Sequence, residues 1–219
     1  MSSLEEVWEY REEHLYPRLF GDAGRGISPI PIEVFTVNFE QATVDPRWLH
    51  LGVFEFAPTA ERHSWLYVTS GGSTPWETEP SEYNPDEYSW LGVEFVIETA
   101  EQAEWPIRAL HRLLAYHVLV CHGRYPEFSP LDYGHRVPAG GAVDGSTDSM
   151  LRFFALAKPS HYPAFGQLAS GKFDFLHAVG ITEGERDFAK TTSTAELIAA
   201  LSLQGAFPVT LPRRAQIFL

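Results

Sequence analysis

The chain has 219 residues with 29 acidic against 16 basic side chains, a formal charge of −13, which argues against a nucleic-acid binder, since phosphate neutralisation needs clustered Lys and Arg. Hydrophobic content of 44% with 14% aromatics is that of a folded chain long enough for one core, and a single cysteine, Cys121, rules out an intrachain disulfide framework. The N-terminus is acidic where a signal peptide is basic, and no apolar run reaches the roughly 18–20 residues of a membrane span, so a soluble, cytoplasmic protein is expected.

Ser3 precedes Glu6 at capping-box spacing and opens a helix in which Leu4, Val7, Trp8, Arg11 and Leu15 recur at helical intervals. Trp8 and Leu15 are expected to dock, the glutamates to face water, and Pro17 with Gly21 to close the helix. From Ile30 to Phe39 apolar residues occupy both alternation phases, which predicts a strand covered on both faces. Asp45-Pro46 signals a turn before a second strand, Trp48 to Phe56. A third strand, Ser64 to Thr69, ends at Ser70-Gly71-Gly72-Ser73, where glycine permits backbone angles other residues avoid. Residues 74–88 show no period and read as an exposed loop. Leu91, Val93, Phe95 and Ile97 then alternate with Gly92, Glu94, Val96 and Glu98, the pattern of a half-buried strand. Trp105-Pro106 opens an amphipathic helix with Leu110, Leu113, Leu114, Val118 and Cys121 as its buried stripe.

Residues 123–149 are a Pro-, Gly-, Ser- and Asp-rich connection, either a binding loop or a variable one. Met150 to Ala157 and Lys172 to Val179 read as strands, the second with Phe173, Phe175, His177 and Val179 on one face. Thr182 with Glu185 and Ser193 with Glu196 repeat the capping-box spacing and predict two short helices before an extended tail, Phe207 to Leu219. Strands outnumber long helices without alternating strictly with them. That predicts an α+β fold, a mixed β-sheet flanked by helices in a single domain.

Templates for chemistry fit poorly. His111 and His122 lie about 16 Å apart along a helix at 1.5 Å per residue, too far to share one metal. Cys121 sits in the apolar stripe, where a buried thiol is inert. Ser70 is not in a nucleophile elbow, which places glycine on both sides of the serine, since Val68 stands two residues before it. Glu77, Glu79, Glu82, Asp86 and Glu87 crowd one loop among Trp76, Tyr83, Tyr88 and Trp90. Such a loop is a solvated surface, a protein-contact surface with aromatic anchors and steering acids, or a carboxylate pair for acid/base work.

The stretches Tyr67–Ser73 (YVTSGGS), Glu94-Phe95, Trp105-Pro106 with the helix through Tyr116, Phe173 to Glu185 (FDFLHAVGITEGE), Glu196–Leu201 and Pro208 to Arg214 (PVTLPRR) come in an order and spacing that resemble the Suppressor of fused domain family, from about Phe35 to Phe218. The resemblance implies a mixed α/β sandwich: residues 1–34 as an N-terminal helix and lead-in strand of the same domain, and 35–219 as the Suppressor of fused-like part. It also implies a binding protein rather than an enzyme, without cofactor or metal. Animal members bind a transcription factor in a cleft between this domain and a second, C-terminal one, which is expected to be absent here. Tyr116 matches an aromatic lining that cleft, whereas the acidic residue of the animal site falls near Gly134-His135 with Asp132 only nearby. Transcription-factor binding is therefore not carried over.

Stand-alone bacterial members resemble immunity proteins that neutralise a toxin, and three lysines against thirteen arginines point to a GC-rich bacterial genome. The leading expectation is a non-enzymatic protein-binding domain, an immunity protein with a basic toxin as partner and with neither nucleic acid nor membrane as ligand. Its contact surface is expected on Trp76, Glu77, Glu79, Glu82, Tyr83, Asp86, Glu87, Tyr88 and Trp90, with Tyr116, Asp132 and His135 as a second region. A general adaptor, and a hydrolase using a carboxylate pair or Cys121 with a histidine, stand as alternatives.

Overall fold

The computed structural model describes residues 3–217, so the expected limits at residues 1, 218 and 219 lie outside the described residues. Ser3 caps the first helix as its spacing predicts: its hydroxyl accepts the Glu6 N–H at 3.2 Å, and the Glu6 carboxylate accepts the Ser3 N–H at 2.8 Å. The helix runs unbroken through α1 (Leu4–Glu9), a π-helical stretch Tyr10–Leu15, and α2 (Tyr16–Phe20). Contrary to expectation, Pro17 does not end it. The helix widens to π geometry just before Pro17, where the i→i−4 bond that proline breaks is not required. Gly21, at φ +93°, is the terminator.

In chain order the strands are β1 (Ser28–Pro29), β2 (Gly52–Phe56), β3 (Trp65–Ser70), β4 (Tyr88–Thr99), β5 (Arg136–Pro138), β6 (Leu151–Ala157), β7 (Phe165–Leu168), β8 (Gly171–Thr182) and β9 (Val209–Thr210). Helix α3 (Trp105–Cys121) follows β4, while α4 (Glu183–Thr191) and α5 (Thr194–Leu203) follow β8. The sheet order is β1-β2-β3-β4-β8-β6-β5, with β7 paired to β8 and β9 to β4. Only the β4–β8 and β4–β9 pairings are parallel, so the sheet is mixed.

Helices cover both faces. Leu110, Leu114 and Val118 of α3 pack on Val93, Phe95 and Ile97 of β4. Leu15, Tyr16 and Phe20 pack with Phe56, Val96 and Phe175 on the other face, and α4 and α5 bury Ala189, Leu197 and Leu201 against Val179 and Ile181. Thr182 and Ser193 cap α4 and α5 as expected, accepting the Glu185 and Glu196 N–H groups.

Several expectations are corrected. Ile30 to Phe39 is not a strand: β1 ends at Pro29, the last bond to the neighbouring strand region is from the Ile30 N–H to the Leu51 carbonyl at 2.9 Å, and Val34–Asn38 is helical. Pro29 and Pro31 remove the ladder donors, and a proline at the start presets a helical turn. The two apolar phases are the two sides of that turn, with Phe35 buried and Val37 69% exposed. In the second strand region, Pro46–His50 is a 3₁₀ turn capped by Asp45, which leaves only Gly52–Phe56 extended.

β4 is not half-buried either. Glu94 and Glu98 lie on its second face beneath the N-terminal helix, 0% and 1% exposed. Glu94 is met by four donors from Thr69, Gly71 and Ser73 with Arg11 nearby, whereas Glu98 Oε2 takes the Ser64 hydroxyl and its Oε1, 3.9 Å from His177 Nδ1, has no hydrogen-bond partner. Cys121 is exposed at the end of α3, not buried in its stripe.

Candidate functional site

α3 buries one side against the sheet and leaves Arg108, Arg112 and Tyr116, each one turn from the next, on a cleft of ≈950 Å³. Residues 31–39 form one wall and residues 128–145 the other. The walls are tied to the helix by specific contacts. Phe39 stacks on Tyr116 (ring centroids 6.2 Å apart, 29° between planes), and Tyr125 and Phe128 approach the same ring at 6.1 and 6.3 Å. The Tyr125 hydroxyl donates to the Phe39 carbonyl at 3.3 Å, and the Leu131 N–H donates to His117 Nδ1 at 3.1 Å, pinning the second wall to α3.

The cleft is apolar with a cationic stripe. Arg136 is committed, donating to the Gly134 carbonyl and to Thr194 Oγ1 (3.1 and 2.6 Å). The guanidiniums of Arg108 and Arg112 have no hydrogen-bond or ion-pair partner among the described residues. The Arg112 guanidinium lies against Gly140, at φ +74°, where a Cβ would sit 2.4 Å from Nη2. Burial pushes the Tyr116 hydroxyl above its ordinary pKa, helped by the charge of Glu127. Burial holds His111, which contacts the Ser28 carbonyl at 3.0 Å, below its own. The lining combines aromatic area with a few polar groups at its edges, the composition common to binding pockets.

Of the site residues expected from the sequence, Tyr116 and His135 line the cleft, and Asp132 lies exposed beside it, its carboxylate accepting the Tyr133 N–H at 2.6 Å. The acidic loop divides into separate arrangements. Trp76 packs edge-on against Trp8 and faces His50, and Glu77 lies 3.3 Å from Arg47 and 3.7 Å from His122. Trp90, at φ +50°, packs on His122. Glu79 and Glu82 cap the short Pro80–Glu82 turn, and Tyr83 turns its hydroxyl inward. Asp86 and Glu87 bond with Asn84, and Tyr88 lies beneath Lys172 with its hydroxyl donating to Asp174 at 3.0 Å.

Sequence reading missed Arg108, Arg112, Phe39 and Phe128. The spacing of Arg108, Arg112 and Tyr116 on the polar side of α3 was the available signal.

Two side-chain clusters resemble catalytic sets. His117 lies 3.6 Å from Cys121 Sγ, but desolvation pushes the thiol up to about 11 and the imidazole down to about 4, so both are neutral near pH 7 and the sulfur is not a thiolate nucleophile. His177, Glu98, Tyr162 and Ser64 form a second group: Tyr162 Oη lies 3.3 Å from His177 Nδ1, and the Ser64 hydroxyl donates to Glu98. His177 and Glu98 are 0% and 1% exposed, and none of the four lines the cleft. Among the described residues no three His, Cys, Asp or Glu are grouped to hold a metal ion, and no helix is long and apolar enough to cross a membrane.

The family model described as Suppressor of fused protein (SUFU) matches residues 47–215. No curated protein matches the chain. Among solved structures, the chain is similar to one in the Sufu–Fu complex at 17% identity and TM-score 0.60, covering 87% of this chain and 94% of that one. Drosophila Suppressor of Fused matches at 17% identity and TM-score 0.58 over 77% of this chain and 42% of that one. A Suppressor of fused homologue from Neisseria gonorrhoeae FA 1090 matches at 20% identity and TM-score 0.56, over 86% and 94%. At these identities the likeness is one of fold.

Proposed function

The chain belongs to the Suppressor of fused family, and on that premise we propose that it is a protein-binding domain that admits a segment of its partner to the cleft beside α3 and neutralises a cognate toxin by occluding it. The observation that carries the reading is the cleft itself: an open, aromatic-lined groove of ≈950 Å³ with Tyr116 at its end. Supporting the finer, toxin-directed form are the charge of −13, which favours a partner of net positive charge, and the likeness in fold to a bacterial homologue. The unpaired Cys121 suits a reducing, cytoplasmic setting. Trp76 to Trp90 serves as the outer contact region in this reading, and Tyr116 with His135 as the inner one.

The test is affinity capture from the native organism with the wild-type chain and with Tyr116→Arg, followed by expression of any captured partner alone and together with this chain. One dominant partner, lost on Tyr116→Arg and toxic only when expressed alone, is the expected result. Retention unaffected by Tyr116→Arg would remove the cleft from the contact surface. A harmless partner would leave a general adaptor in place of an immunity protein.

A further inference from the structure

We propose that the occupant of the cleft is an extended acidic segment, in which one aromatic side chain and two carboxylates at alternate positions sit on Tyr116, Arg112 and Arg108. This rests on the cleft being a protein-binding site and goes further by stating the chemistry of the ligand. The three residues follow one another at i, i+4 and i+8 on α3, so successive side chains are about 6 Å apart along the axis. In an extended chain the side chains of one face recur at about 6.7 Å. A segment lying along the helix therefore presents alternate side chains to this stripe in near register.

The charge of the occupant follows from what the arginines lack. The chain has 29 acidic side chains to 16 basic ones, yet neither Arg108 nor Arg112 has an acidic partner among the described residues. The carboxylates of the cleft do not supply one. Asp144 accepts from the Ser146 N–H and hydroxyl at 3.0 and 2.9 Å, and Glu33 pairs with no cation. A basic segment would meet two like charges, and a purely apolar one would strip water from two guanidiniums without replacing it. Carboxylates satisfy both, since arginine binds them through paired N–H groups. At the other end Phe39, Tyr125 and Phe128 surround Tyr116, and Phe128 is 53% exposed, leaving aromatic area for an anchoring side chain.

The test is fluorescence anisotropy on the whole chain with labelled Gly-Phe-Ser-Glu-Ser-Glu-Gly, its reversed sequence, and the lysine-for-glutamate counterpart of each. At least one glutamate peptide is expected to bind about tenfold more tightly than its lysine counterpart. Tyr116→Ala should abolish that binding, and the exposed, fold-neutral pair Arg108→Glu with Arg112→Glu should invert the preference. Lysine peptides binding as well as the glutamate ones, or a double variant with unchanged affinity, would overturn the acidic occupant. If that binding still required Tyr116, the cleft would remain a protein site. Absence of binding by every peptide at millimolar concentration also overturns the acidic occupant, and retention of the natural partner by Tyr116→Arg then decides the cleft separately.

Discussion

His117 lies on the buried side of α3, with Nδ1 accepting the Leu131 N–H that anchors one wall of the cleft. A backbone N–H can only donate, so Nδ1 is unprotonated and the ring carries its hydrogen on Nε2. Burial depresses its pKa from the ordinary 6.5 to about 4. The folded state therefore favours the neutral ring. The resulting stability is complete above pH 6.5 and is lost as pH falls towards 4, a change of about 3 kcal/mol. Urea unfolding at pH 7 and pH 4.5 should show His117→Gln losing 2–3 kcal/mol less on acidification than the wild type, about the full linkage of one histidine; equal losses would assign the acid sensitivity to other groups. Glu94 is the opposite case. Desolvation raises its pKa, although its carboxylate accepts from Thr69 Oγ1, the Gly71 and Ser73 N–H groups and Ser73 Oγ at 2.6–3.0 Å, with Arg11 at 3.9 Å. In the sequence Glu94 alternates like a residue facing water, because a one-dimensional pattern carries no information about a second layer.

The Ser70–Ser73 turn shows what an element owes to its neighbours. Its glycines are legible as a turn signal, but the reason for them is tertiary: a Cβ on Gly72 would sit 2.3 Å from the Val93 carbonyl, and one on Gly71 2.3 Å from Leu51 Cδ2. The turn wraps the Glu94 carboxylate so closely that no side chain fits between turn and strand. Gly72→Ala should therefore cost about 2–3 kcal/mol through backbone displacement alone, lowering the thermal midpoint by several degrees in a scanning melt; an unchanged midpoint would mean that the turn yields freely. Helix caps were legible because they are local: Ser3, Thr182 and Ser193 bond to groups three residues away. The segment Ile30–Phe39 was misread because its helical turn is decided by two prolines and by packing of Phe35 on α3, not by its alternation.

Across the whole molecule, acidic side chains dominate the exterior while two unpaired arginines sit in the cleft. On the proposed reading, long-range steering and short-range recognition fall on different surfaces. Replacing Glu77, Glu79, Glu82, Asp86 and Glu87 by serine should slow association with a basic partner by about tenfold at low ionic strength and flatten its salt dependence, with little change in dissociation. Stopped-flow association at several salt concentrations reads this directly, and an unaltered low-salt rate would remove the loop from the encounter surface. Glu77 lies near both Arg47 and His122, so part of its charge is already neutralised and its share of the effect should be the smaller.

The sequence by itself determined the α+β class, the central strands from β2 to β4, the long helix α3, the capped pair α4 and α5, and the family, because each rests on patterns within a few residues or on the order of such patterns. Tertiary structure alone decided that both faces of β4 are covered, that β4 and β8 run parallel although more than seventy residues separate them, and that residues 31–39 and 128–145 meet across α3 to make the cleft. Chain-distant walls leave no local signature: their meeting is set by which apolar faces remain to be buried once the sheet has formed.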